Sequence, residues 1–326
     1  VRKYVPETRT RRFSFPTGEA PGQFYEEIDE AELLRDVIDV HIHAAPAALP
    51  RRLDGYEVAI GAQERGMKAV VFKPNKEITT VQMANLVSSL VPGIQVLGGV
   101  RLGYETGGLN PHAVRTSIDM GGRWVWMPVG DSAQSVAQQK RFGDSTFAYR
   151  DYFLPQEGIS TVDENGELLP VMYEILDIIA QAGDVVLDLA HVSAIEAVAI
   201  ARAAKEAGVK RILSGHVATS ILNYSLDVEK ELADLGVWIQ YVAESFTALS
   251  PKLEGGNIAA QFARRIRAVG PERVIVGSDS GNPTQPEPWE SMRLFAITMM
   301  WHGKFSYEEI ELMTKKNAAQ LIALDV

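Results

Sequence analysis

Four of the six histidines in this 326-residue chain end short apolar runs, and one aspartate does the same. His41 and His43 close Val37-Ile38-Asp39-Val40-His41-Ile42-His43, and His191 closes Val185-Val186-Leu187-Asp188-Leu189-Ala190-His191. His216 closes Arg211-Ile212-Leu213-Ser214-Gly215-His216, and Asp279 closes Val274-Ile275-Val276-Gly277-Ser278-Asp279. Side chains alternate along an extended strand, so His41 and His43 share one face. Neutral imidazoles and a carboxylate suit Zn²⁺ and related cations. Singly, each residue has a plainer reading. A His-x-His can be structural, a strand-end His can be a hydrogen-bonded core residue, and Asp279 can cap a helix or sit in a turn. The chemistry requires a fold that brings all five together.

The apolar runs supply such a fold. Further runs lie at 69–73, 95–100, 124–129 and 237–242, which makes eight in all. Nearly continuous apolar stretches suit parallel strands buried on both faces. Between them lie amphipathic segments, with helices expected at 56–65, 193–207, 226–235 and 258–269. These stop at Gly66, Gly208, Gly236 and Gly270, the punctuation of repeated βαβ units. No Gly-x-Gly-x-x-Gly follows the first strand, which counts against a dinucleotide fold. The expected class is α/β, a (β/α)8 TIM barrel, in which every strand end meets at one rim. Residues 1–35 are expected to form an N-terminal extension and 36–326 the barrel. A long insertion after strand 4, at about 131–168, breaks the regular spacing. It holds the aromatics Phe147, Tyr149, Tyr152 and Phe153 and the turn Asp163-Glu164-Asn165-Gly166, whose flanks could pair as a hairpin. An insertion leaving the barrel mouth reads as a lid or substrate wall, or else as an oligomer contact.

Composition narrows the classes. A net charge of −10 argues against a nucleic-acid partner. Arg2, Lys3, Arg9, Arg11 and Arg12 read as a solvated arm or a strap onto a neighbouring subunit, hence an expected homo-oligomer. The absence of cysteine excludes disulfides, thiolate metal sites and cysteine nucleophiles. No apolar run is long enough to span a membrane, and the N-terminus lacks an apolar signal core. The expected location is the cytoplasm and the expected partner a small-molecule substrate.

From Asp36 to the C-terminus the chain resembles the amidohydrolase superfamily. That family carries His-x-His on strand one, His on strands five and six, and Asp on strand eight, here His41, His43, His191, His216 and Asp279. The ending Asn317-Ala318-Ala319-Gln320-Leu321-Ile322-Ala323-Leu324 also resembles the family's closing helix. One position departs. Many members carry a carboxylated lysine on strand four, where this chain has Trp126-Met127-Pro128. Either a carbamylated Lys73, from the end of strand two, bridges two metals, or the site holds one metal and Lys73 binds an anionic group of the substrate. Burial beside cations favours the uncharged amine and hence the carbamate.

The resemblance implies one or two divalent ions. Zn is favoured, and Mn, Fe, Co or Ni are also accepted by such ligands. A bound metal lowers the pKa of water from about 16 towards about 7. Asp279 would take the water's proton and return it to the leaving group. His216 would be a ligand of a second metal or a polarising donor. The implied activity is hydrolysis of a C–N bond, in an amide or cyclic amide, or of an ester. Alternatives are a metal-dependent decarboxylase or other lyase on the same scaffold, and a barrel that binds without catalysis. Lys76, Arg101, Tyr104, Glu244 and Asn282 follow strands and are candidates to contact substrate, with Lys76 and Arg101 suited to a carboxylate. His112 and His302 read as structural.

Overall fold

The computed structural model describes residues 12–16, 25–142, 157–219, 221–246 and 258–324. Strands β1 (Arg12–Pro16) and β2 (Tyr25–Asp29) form an antiparallel hairpin, followed by helix α1 (Glu30–Leu34). Then strand and helix alternate: β3 (Ile38–Ile42), α2 (Gly55–Glu64), β4 (Ala69–Phe72), α3 (Val81–Leu90), β5 (Gln95–Leu97), β6 (Gly99–Arg101) and α4 (Pro111–Asp119). β7 (Trp124–Trp126) precedes α5 (Ala133–Phe142) and α6 (Pro170–Ala182). Next come β8 (Val186–Asp188), α7 (Ala194–Ala207), β9 (Ile212–Ser214), α8 (Leu226–Asp234), β10 (Trp238–Val242), α9 (Ile258–Val269) and β11 (Val274–Gly277). The helices α10 (Pro288–Trp301), α11 (Tyr307–Glu311) and α12 (Asn317–Ile322) complete the described chain.

The strands from β3 onward pair in parallel, in chain order, as one sheet of β3-β4-β5 and another running from β6 to β11. The two sheets meet at Gly98, between β5 and β6, where a Cβ would come within 2.7 Å of the Thr80 carbonyl oxygen. At the other seam, Asp279 N–H donates to the His41 carbonyl (2.8 Å) and His43 N–H to the Ser280 carbonyl (2.9 Å). With β5 and β6 taken as one line, this is an α/β arrangement that fits an eight-stranded β/α barrel.

The local code is consistent with that order. Every residue of β3, β4, β7, β8, β9, β10 and β11 is buried, as strands covered on both sides require. Helix α7 shows the punctuation. Ser193 and Glu196 form a reciprocal capping box at its start, and Gly208 ends it at φ 86°, a conformation an L-residue resists. Lateral pairing places Arg101 beside Trp126 and Trp126 beside Asp188, so these three share one face of the sheet. Trp124 and Trp126 are fully buried, with ring centroids 5.7 Å apart.

Much of the expected insertion is described. Ser132 and Ile159 form a parallel bridge, and Val162 pairs with Leu168 across the 163–166 turn. The turn is tight: Asp163 N–H reaches the Glu167 carbonyl at 2.8 Å. Phe147, Tyr149, Tyr152 and Phe153 lie outside the described residues, as do Arg2, Lys3, Arg9 and Arg11. No helix among the described residues is long and apolar enough to cross a membrane.

Candidate metal centre and active site

His41 and His43 enter the site from the end of β3, and Asp279 from the turn after β11. His41 Nε2 lies 3.1 Å and His43 Nε2 3.2 Å from the same oxygen, Asp279 Oδ1. The far side of each ring is already engaged. His41 Nδ1 contacts Gln240 Oε1 (3.1 Å) and His43 Nδ1 contacts the Lys73 carbonyl oxygen (2.9 Å). Both acceptors require an Nδ1–H, which leaves each Nε2 lone pair facing a carboxylate oxygen. Such an arrangement is repulsive unless a proton or a cation lies among the three groups. The ligand atoms of His41, His43 and Asp279 all lie within 4.8 Å of one another, so this trio fits a divalent cation.

The remaining histidines stand alongside. The His216 ring centroid is 5.0 Å from that of His41 and 4.6 Å from that of His191. His191 Nε2 and His216 Nε2 are 3.0 Å apart, and His191 Nδ1 meets Ser135 Oγ at 2.9 Å. His216 Nδ1 is buried without a hydrogen-bond partner. Thus the five residues named from the sequence reach one end of the strands, three forming a compact trio and two an adjoining pair.

Lys73 follows β4, close enough for its charge to act on both His191 and His216. It is 2% exposed, and its Nζ has no hydrogen-bond partner. Burial lowers its pKa, and the nearby carboxylates of Asp188 and Asp279 oppose that shift. Burial likewise keeps His191 and His216 neutral far below the usual imidazole range and brings His43 down to about 4. Burial opposes the charge on Asp279, but His41, His43 and His216 overcome it and hold the carboxyl well below its ordinary range. Glu244 is pushed the other way, by burial first and by Asp279 second.

The backbone is strained where it delivers these groups. Ala190, His216 and Asp279 have φ of 48°, 37° and 54°, in a region non-glycine residues seldom occupy. Each lies just past a strand, where the chain turns a side chain into the mouth.

The residues expected to contact substrate are placed as follows. Arg101 is 1% exposed and engaged by Asp131 (2.5 Å) and by Glu105. Lys76 Nζ lies 3.3 Å from the same Glu105, so both cations converge on one carboxylate. Tyr104 is half exposed, and its hydroxyl donates to the Glu157 carbonyl (2.9 Å). Glu244 accepts from Gln285 Nε2 (2.6 Å), while Gln285 Oε1 accepts from the backbone of Gly281 and Asn282. His112 and His302 are exposed, whereas His41, His191 and His216 are buried.

Sequence reasoning missed Gln240, Ser135, Asp39, Asp188 and Asp131. Asp39 is fully buried, accepts from the backbone N–H of His41 and Ser278, and is raised by burial to about 6. Three of these, Asp39, Asp188 and Gln240, are buried polar residues of the apolar strands themselves.

A family model described as "Family of unknown function (DUF6282)" matches residues 36–240. That span contains His41, His43, Lys73, His191, His216 and Gln240 and stops before Asp279. No curated protein matches in sequence. Among solved structures, an amidohydrolase from Pseudomonas aeruginosa aligns at TM-score 0.62 and 13% identity, covering 90% of this chain and 98% of that one. A putative 2-pyrone-4,6-dicarboxylic acid hydrolase from Pseudomonas putida aligns at TM-score 0.55 and 15% identity, covering 89% and 98%. These likenesses establish a shared fold with amidohydrolase-type proteins.

Proposed function

The chain belongs to DUF6282, a family of unknown function, and from that premise we propose that it is a metal-dependent hydrolase of the amidohydrolase type. The proposed substrate is a small molecule with an amide, cyclic amide or ester bond. The observation that carries the reading is the convergence of His41, His43 and Asp279, with both imidazole Nε2 atoms facing one carboxylate oxygen. The amidohydrolase fold of the structural neighbours supports it.

His41, His43 and Asp279 would hold one divalent ion, and His191 and His216 would complete the centre or hold a second, with zinc favoured. When bound, the metal supplies Lewis acidity towards water and a substrate carbonyl. Asp279, charged at neutral pH, accepts the water proton and passes it to the leaving group. Lys73 is proposed to act as a carbamate. Its uncharged amine adds to the carbon of CO₂: a C–N bond forms as one C=O π bond opens onto oxygen, and an N–H bond breaks to release its proton to solvent. Its buried Nζ without a hydrogen-bond partner, beside the trio, supports that role. Residues 1–35 are read as an extension and about 131–168 as an insertion on the barrel.

The test combines metal analysis with turnover. The protein, loaded with zinc or manganese and freed of excess ion, is assayed on amides, cyclic amides and esters in ¹⁸O-labelled water. Expected are bound metal, label in one product, and loss of turnover in Asp279→Asn. Absence of bound metal after full loading, or full turnover in Asp279→Asn, would overturn the proposal.

A further inference from the structure

The groups behind the histidines are chemically uniform. Gln240 Oε1 backs His41, the Lys73 carbonyl backs His43, and Ser135 Oγ backs His191. None of the three is a carboxylate, although a carboxylate is a common partner behind metal-binding imidazoles and makes them more basic.

Gln240 is the most constrained of these partners. It is the polar residue in the middle of β10 and is fully buried. Its amide fits because glycines flank it. A Cβ on Gly277 would lie 2.7 Å from Gln240 Nε2 and 2.9 Å from His41 Cβ, and one on Gly215 would lie 3.2 Å from Gln240 Oε1. Gln240 Nε2 and the Oδ2 of Asp39 are both buried without hydrogen-bond partners. Asp39 Oδ1 is occupied by the backbone N–H groups of His41 and Ser278. Hence His41 is held from two sides by interior groups, by its backbone through Asp39 and by its ring through Gln240.

We propose that Gln240 is a positioning residue that fixes His41 as the Nδ1–H tautomer with a neutral acceptor, so that its Nε2 lone pair points at Asp279. This rests on the metal-centre reading above. A neutral acceptor orients the ring without adding negative charge, so the imidazole remains a moderate donor. The amide can also turn. With Nε2 towards the ring, Gln240 would donate to Nδ1, and His41 would carry its proton on Nε2 and donate to Asp279.

The test uses the full-length chain with Gln240→Leu, which removes the acceptor, and Gln240→Glu, which keeps one. Zinc affinity is measured by competition with a chromophoric chelator. The His41 tautomer is read from ¹⁵N imidazole shifts in chelator-treated protein, assigned by comparison with His41→Asn. Expected are a 10- to 100-fold loss of zinc affinity in Gln240→Leu, recovery to wild-type affinity or tighter in Gln240→Glu, and an Nδ1–H tautomer in wild type that is lost in Gln240→Leu. Unchanged affinity and tautomer in a folded Gln240→Leu would overturn the proposal, as would an Nε2–H tautomer in metal-free wild type. If wild type binds no zinc, the hydrolase reading falls and the tautomer data alone decide the role of Gln240. If Gln240→Glu fails to fold, Gln240→Leu and the wild-type tautomer decide.

Discussion

The Nε2 atoms of His191 and His216 lie 3.0 Å apart, at the end of two neighbouring strands. Two neutral imidazoles can meet so closely when one N–H donates to the other, so in the metal-free protein this pair holds a proton where a cation would compete. Substituting His191 or His216 by Asn is expected to weaken zinc binding by at least the 10- to 100-fold that loss of an outer partner brings. A chelator competition titration measures it, and affinity within twofold of wild type in both variants would contradict the assignment.

Lys73 is expected to carry a carbamate when the protein is loaded in bicarbonate. ¹³C-bicarbonate should give a carbamate resonance that is absent from Lys73→Met, and metal uptake should fall when CO₂ is excluded. In Lys73→Ala, short carboxylates such as acetate should restore part of the metal uptake. A metal-loaded wild type with no such resonance would leave Lys73 as an amine facing the substrate.

Acid should loosen the metal-free protein in a defined window. His43 is brought from 6.5 to about 4 by burial first, so between these values the folded state binds fewer protons than the unfolded one. Its stabilising effect is complete above pH 6.5 and declines as pH falls towards 4, by at most about 3 kcal/mol. His191 and His216 act in the same direction. Asp39, raised from 3.8 to about 6, opposes them, since its contribution is present below 3.8 and lost as pH rises through 6. Urea unfolding of chelator-treated protein should show stability dropping from pH 6.5 to 4, with a shallower drop in His43→Gln. Equal slopes in the two proteins would count against a neutral His43.

Arg101 should be needed for folding. It is almost fully buried and paired with Asp131, which has no exposure, and with Glu105. Arg101→Met would leave the buried Asp131 carboxylate without its cation, while Glu105 keeps Lys76, at a cost of about 3–5 kcal/mol. Gly103→Ala should cost about 1–3 kcal/mol, because its Cβ would meet the Arg101 guanidinium. Denaturant midpoints check both, and a neutral Gly103→Ala would show that the guanidinium can move aside.

Ala190→Gly is expected to be stabilising. The left-handed conformation costs an L-residue about 1–2 kcal/mol, and glycine adds an entropic cost of about 0.5–1 kcal/mol on folding. With φ at 48°, relief outweighs that cost, for a net gain of up to about 1 kcal/mol. A lower urea midpoint would show that Ala190 relies on its methyl group for packing.

The sequence revealed strand ends better than strand interiors. His41, His43, His191, His216 and Asp279 stood out because each follows an apolar run, and parallel pairing in chain order carries those ends to one side. The end of α9 at Val269 was legible because Gly270 follows it. The outer partners were harder to find. Gln240, Asp39 and Asp188 sit within runs buried on both faces, where periodicity no longer tells inside from outside. Ser135 comes from α5, far in sequence from the histidine it touches. The grouping of Lys76 and Arg101 around Glu105 depends on loop conformations that composition does not encode.

The bridge between Ser132 and Ile159 has a consequence for how this protein could diversify. Ala133 N–H bonds to the Ile159 carbonyl and Ile159 N–H to the Asp131 carbonyl, both at 2.8 Å, while Glu196 anchors Thr161. The chain therefore departs and returns at neighbouring points, with α5 and its Ser135 held against His191 inside the clasp. Sequence between the end of α5 and Ile159 can be lengthened, shortened or exchanged over evolutionary time with the strand register intact, so relatives could acquire new substrates there while keeping the same histidines and Ser135.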